Sequence, residues 1–186
     1  MGYDDALNLA AQKLAQIPPQ EICQKCGVRY EGGEFFIPWF NAEKPLSSAS
    51  VSHKILWLHY LTSDGRQKQS GHLIAYREAA PALFYESNFD KRAVKPLVNH
   101  FGKNPQSLIS TGIALGGQTV NLGDAAVTLN ILPYVPMTFI IWEGSEEFPP
   151  DGNILFDQTA KTWFAAEDLA VIASLAVYEL IAANKC

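Results

Sequence analysis

Apolar residues at roughly helical spacing open the chain: Leu7, Leu9, Ala10, Leu14 and Ile17 follow Asp4 and Asp5, whose charges suit a helix start. The spacing predicts a helix over about 5–16 stopped by Pro18-Pro19, then a short helical turn over 20–26 ended by Gly27. Residues 28–30, the turn Glu31-Gly32-Gly33-Glu34 and residues 35–40 read as strand, turn, strand. The polar stretch 41–50, with Pro45, reads as a loop. Val51, Ile55, Leu58, Tyr60 and Leu61 mark a helix capped by Ser50 and ending near Asp64-Gly65. Residues 73–76 predict a short strand, and Leu83-Phe84-Tyr85 another. A helix capped by Ser87 or Asn88 runs to Phe101, with Pro96 breaking it near Val94-Lys95. Asn104-Pro105 opens a further helix to about Leu115.

From Gln118 the period changes to two. Val127, Leu129 and Ile131 alternate with Thr128 and Asn130, the pattern of a half-buried strand. Pro133-Tyr134-Val135-Pro136 turns the chain, residues 137–142 return, and 153–156 form a last short strand. In the C-terminal helix, Leu169, Ile172, Leu175, Ala176 and Leu180 form one face, and Val171, Val177 and Ile181 widen it almost all round. Such a helix is buried on more than one side. Helices mix with antiparallel hairpins, and no linker or repeat divides them. The expected class is α+β: one domain over 1–186, with an antiparallel sheet packed against several helices, among them a long buried C-terminal one.

Composition agrees with a folded core. Of 186 residues, 48% are hydrophobic and 18% charged, too apolar for disorder. A chain of this length buries about 70% of its unfolded surface and folds without disulfides or metal. The longest apolar run, 169–183, is interrupted by Glu179 and falls short of the roughly 20 residues a membrane span needs. Three cysteines, an odd number, and an acidic N-terminus argue for a cytoplasmic protein.

The net charge of −5 is lopsided. Residues 143–157 hold Glu143, Glu146, Glu147, Asp151 and Asp157 with no base, while residues 1–142 are nearly balanced. No basic stripe exists for nucleic acid or an anionic membrane to meet. The acids follow a buried strand and interleave with Trp142, Phe148 and Phe156. Such a cluster can hold a divalent cation, supply a general acid and base, or serve as a binding surface; the bland alternative is a solvated loop.

Other candidates are weaker. Cys23 and Cys26 have the spacing of half a zinc site or a redox pair, but no strand precedes them and two further ligands are needed. Gly112, Gly116, Gly117 and Gly123 follow a helix, so the polarity is wrong for a phosphate loop. His53 shares a helix face with Trp57 and Tyr60; either His53 or His59 is a candidate ligand or acid–base group.

A set of segments then occurs in order: His59-Tyr60-Leu61, residues 71–78 (Gly-His-Leu-Ile-Ala-Tyr-Arg-Glu), Gly116-Gly117, Gly123-Asp124-Ala125-Ala126, residues 132–136, residues 142–149, Ile154-Leu155-Phe156-Asp157 and Glu167-Asp168-Leu169-Ala170. Together they resemble the prokaryotic domain-of-unknown-function family 3786 over almost the whole chain. The resemblance implies a setting in anaerobic metabolism, because some members carry an iron–sulfur domain of the kind seen in corrinoid proteins. It implies no activity. Ser145 stands where the family usually has an acid, and the Cys23/Cys26 pair lies outside the family pattern. The expectation is a binding or accessory module for a corrinoid or other tetrapyrrole, or for a corrinoid or iron–sulfur protein. Its surface would be Trp142, Glu143, Glu146, Glu147, Phe148, Asp157 and Asp124, with Trp57, Tyr60 and Tyr76. The alternative is a carboxylate enzyme, with or without a divalent metal, whose acids face His53, His59 or His72. A third possibility is a metal-sensing scaffold at Cys23 and Cys26.

Overall fold

The computed structural model describes residues 3–65, 69–79 and 83–185. Helices α1 (Tyr3–Ala15) and α2 (Pro19–Cys26) lead into a meander of β1 (Arg29–Glu31), β2 (Glu34–Trp39) and β3 (Ala42–Pro45). After a 3₁₀ turn at Leu46–Ser48 come α3 (Val51–Thr62), β4 (Leu73–Ala75), α4 (Tyr76–Ala79), α5 (Leu83–Phe89), a π-helical turn (Asp90–Val94), α6 (Lys95–Phe101) and α7 (Pro105–Ala114). Strands β5 (Gln118–Thr119), β6 (Ala125–Leu132), β7 (Val135–Trp142) and β8 (Asp151–Asp157) precede α8 (Ala160–Trp163) and α9 (Ala166–Asn184). The class is α+β, with two antiparallel sheets and a long C-terminal helix. Among the described residues, no helix is long and apolar enough to cross a membrane.

Local chemistry explains most boundaries. Gly27 adopts a left-handed φ of 65° and donates to the Cys23 carbonyl, closing α2. Ser50 Oγ accepts from the His53 N–H and caps α3. Pro96 has no N–H to give, and the helix meets it by widening into the π turn just upstream before restarting as α6. Local expectations fail at four places. Ser87 and Asn88 lie inside α5 and cap no helix, and Val135 and Pro136 belong to β7, which leaves Pro133-Tyr134 as the turn. Residues 42–45 are an edge strand paired with β2, where Pro45 is tolerated at the last position. Leu83-Phe84-Tyr85 are helical, because α5 runs on into the π turn and packs against α9, which overrides the β preference of aromatics.

The larger sheet has the order β4-β8-β7-β6-β5. The predicted alternation of β6 is real: Val127, Leu129 and Ile131 are buried, while Asn130 is exposed. Their face continues into Met137, Phe139 and Ile141 of β7 and Ile154 and Phe156 of β8. These residues form one core with Ile37 and Trp39 of β2, Leu56 and Leu61 of α3, and Leu169, Ile172, Ala176 and Leu180 of α9. Helix α9 packs against α3, α5, α6 and α7, which accounts for its apolar character nearly all round. The small sheet is tied in by the Phe40 N–H, which donates to the Ile131 carbonyl at 3.1 Å from a left-handed φ of 56°.

Close packing of α7 on β6 depends on Gly112. A Cβ there would stand 2.5 Å from Cγ2 of Val127. Gly→Ala inside a helix ordinarily stabilises by up to about 1 kcal/mol. Here overpacking wins, and Gly112→Ala is expected to destabilise by about 1–3 kcal/mol in urea unfolding. A stabilised variant would show that the α7–β6 spacing is looser than this.

Candidate functional site

At one end of the larger sheet, β7 emerges at Trp142 and β8 begins at Asp151, with Trp142 paired to Asp151. The connecting loop, 143–150, is held by its own backbone. The Ser145 N–H donates to the Phe148 carbonyl at 2.8 Å, and Ser145 Oγ accepts from the N–H groups of Glu147 and Phe148 at 3.2 Å. Asp124, on the loop before β6, accepts the Glu143 N–H at 2.7 Å and so joins the two loops. Pro150 rests on α6, where a Cβ on Gly102 would meet it at 2.8 Å. On this fixed support three large apolar side chains face water: Trp142 is 40% exposed, Phe148 69% and Leu122 38%. Asp124, Glu143, Glu146, Glu147 and Asp151 are exposed around them. Asp90 extends the acidic rim. Its carboxyl is pushed up first by partial burial, then by repulsion from Glu86 and Asp151, against the pull of Lys95.

Asp157 does not join this group. It lies at the opposite end of β8, roughly 20 Å from Asp151 at strand spacing. It is 1% exposed and accepts from five donors: the N–H and Oγ of Ser70, the N–H of Gly71, and the N–H and Oγ1 of Thr159. Burial alone would raise its pKa, but these bonds outweigh it and hold the pKa at about 2. Asp157 is therefore a hub that fixes the approach to β4 and the start of α8.

The three other aromatic candidates are core residues. Trp57 is 1%, Tyr60 0% and Tyr76 3% exposed. Trp57 packs on Trp39 and His53, and its indole N–H has no acceptor among the described residues. Tyr60 packs on Trp163 and Phe164 and donates its hydroxyl to the Cys26 carbonyl. Tyr76 stacks on Phe89 with ring centroids 4.3 Å apart and donates to the Ala166 carbonyl. A flat cofactor does not fit against these rings unless the core opens.

The cysteines sit on α2. Cys26 is fully buried, with its thiol directed at the Tyr60 and Leu61 carbonyls, and burial pushes its pKa up to about 12. Cys23 is half-buried and also raised by burial. Thiols that resist ionisation are poor ligands and poor nucleophiles. Cys186 lies outside the described residues. Among the described residues, no three His, Cys, Asp or Glu side chains stand close enough to hold a metal ion.

The chain was then compared with known proteins. A family model described as Domain of unknown function (DUF3786) matches residues 18–179. The chain belongs to this family. No curated protein and no solved structure matches it. The matched span of this DUF3786 chain takes in the loop 143–150, Asp157 and most of α9, and leaves all of α1 outside. Ser145, whose hydroxyl organises the loop, lies within the matched span.

One pairing within the DUF3786 span was not visible in the sequence. His59 Nδ1 meets both carboxylate oxygens of Asp168 at 3.0 Å, across 109 residues, and this bond raises its pKa against the opposing effect of burial. It joins α3 to the first turn of α9. His53 is lowered by burial among Trp39, Trp57 and the Ser50 hydroxyl. His72 is exposed beyond the start of β4. The carboxylate enzyme needs Glu143, Glu146 or Glu147 in a concavity beside one of these histidines. All three glutamates are exposed, and among the described residues their carboxylates have no hydrogen-bond or ion-pair partner; only the backbone N–H groups of Glu143 and Glu147 are bonded. The clefts between α3 and α9 and beside α1 are lined by none of them.

The Asp157 hub has a pH signature. Its folded pKa lies below the ordinary 3.8, so its contribution is complete above that value and is lost as pH falls through about 2. The stability gap between wild type and Asp157→Asn is expected to narrow by about 2 kcal/mol between pH 5 and pH 2 in urea titrations. A gap that stays constant over this range would contradict the hub.

Proposed function

We propose that this domain is a binding module, and that the sheet end carrying Trp142, Phe148 and Leu122 docks the basic face of a partner protein. One observation carries the reading: large apolar side chains stand in water, on a braced backbone, inside a ring of carboxylates. Interfaces are commonly built as aromatic anchors that lose water at the centre with polar groups at the rim. The rim charge would speed encounter with a cationic surface and exclude anionic ones.

The resemblance supports a narrower version, in which the partner is a corrinoid or iron–sulfur protein of anaerobic metabolism. Free corrinoid is the weaker form of that idea, because Trp57, Tyr60 and Tyr76 are committed to the core and leave only Trp142 and Phe148 for stacking.

The test compares wild type with the double variant Trp142→Ser/Phe148→Ser. Both changes fall on exposed positions, so the melting temperature should stay within about 3 °C. Each protein is immobilised and challenged with purified corrinoid proteins and clostridial-type ferredoxins, and separately titrated with cobalamin by absorbance. Binding of one such protein that weakens at least tenfold in the variant and falls with added salt is the expected result. Equal binding to both proteins, or none to either in all arms, would contradict the reading.

A further inference from the structure

A second concavity lies far from that sheet end in sequence and construction. It is a groove of about 680 Å³ between the α1–α3 helix pair and the β1–β2 hairpin. That volume falls in the range of small-molecule sites, roughly 300–1,000 Å³. Leu58 and Phe35, 4% and 7% exposed, form its floor. Leu14, Ile17 and Leu46 line its sides and are half-buried. Tyr30 stands at the rim, 39% exposed, its ring tilted against Phe35 at 4.6 Å.

The polar groups are few and unequal. Glu34 has already taken the Ser47 N–H at 2.7 Å, which holds its carboxyl below the ordinary range. Lys54 Nζ makes one long bond, 3.4 Å to the Ser47 carbonyl, and its ammonium has two further N–H groups to offer. Among the described residues no His, Cys or Met lines the groove, so the metal of a tetrapyrrole would find no such side-chain ligand among them. Lys54 also faces the charge of Glu34; because Ser47 already engages that carboxylate, an apolar trough edged by this lysine suits an apolar body with an anionic end.

We infer that this groove binds a small amphipathic anion: a carboxylate or sulfonate on an aromatic or aliphatic body, its charge on Lys54 and its body against Phe35, Leu58 and Tyr30. The site does not depend on the docking surface. All of α1, which supplies one wall, lies outside the span matched by the family, while Tyr30, Phe35, Lys54 and Leu58 lie inside it.

The experiment uses two dyes of one skeleton, anilinonaphthalene sulfonate and its uncharged parent phenylnaphthylamine, followed by fluorescence in the intact chain. Wild type should bind each with one-to-one stoichiometry. Ala11→Trp, which fills the groove from an exposed helix position, should abolish both signals with the fold intact by circular dichroism. Lys54→Met should weaken the sulfonate about tenfold, as loss of a charge-assisted bond does, and leave the parent dye within twofold; Lys54→Arg should restore the sulfonate. Equal losses for both dyes in Lys54→Met would overturn the anionic end. Unchanged binding to Ala11→Trp, or binding removed by Trp142→Ser/Phe148→Ser instead, would overturn the location. A wild-type dimer in sedimentation that Ala11→Trp dissociates would assign the groove to a second copy, and would also overturn the inference.

Discussion

Burial of β7 is the constraint on which the rest depends. Seven of its eight residues are inaccessible, and it is laddered on both sides, by β6 and by β8. A strand so placed cannot slip by one residue without turning Met137, Phe139 and Ile141 out of the core. Its register therefore fixes where the chain surfaces, at Trp142, and which face that side chain takes. The apolar anchor is exposed because the strand has run out of core. The loop that follows is short, closed by Ser145 and backed by Pro150 on α6, so the exposure is built into the fold.

Much of this was legible in the chain. Alternation in β6 identified the buried face, Gly27 and Ser50 marked helix ends through chemistry that acts within a few residues, and Pro96 located a defect whose form, a π turn, was open. Nearness in sequence is not nearness in space at the other positions. Asp157 was grouped with Asp151, yet a strand of seven residues separates an acid facing water from one saturated by five donors. Likewise Trp57, Tyr60 and Tyr76 were assigned to a surface, although aromatic residues on a helix or strand end do not declare which neighbour will cover them. Here Trp39 of β2 packs on Trp57, the segment 160–164 on Tyr60, and α5 and α9 meet Tyr76 through Phe89 and the Ala166 carbonyl.

Features that arise only from tertiary placement left no local signal. His59 and Asp168 are 109 residues apart, and their bond exists because α9 lies across α3. The groove beside α1 draws on residues from Ala11 to Leu58, none of which stands out alone. The two surfaces also differ in kind. One presents exposed apolar side chains among carboxylates; the other is concave and apolar, with Lys54 and Glu34 among the described residues that line it.

The central claim is that the sheet end is a rigid platform and not wetted slack between two strands. Backbone nitrogen relaxation over residues 142–151 measures this directly. The account predicts order parameters near 0.85 through Ser145 and Phe148, as in the strands themselves. Values below about 0.6 across the loop, with fast amide exchange at Glu143, Ser145 and Phe148, would show that the anchors are not held, and would contradict it.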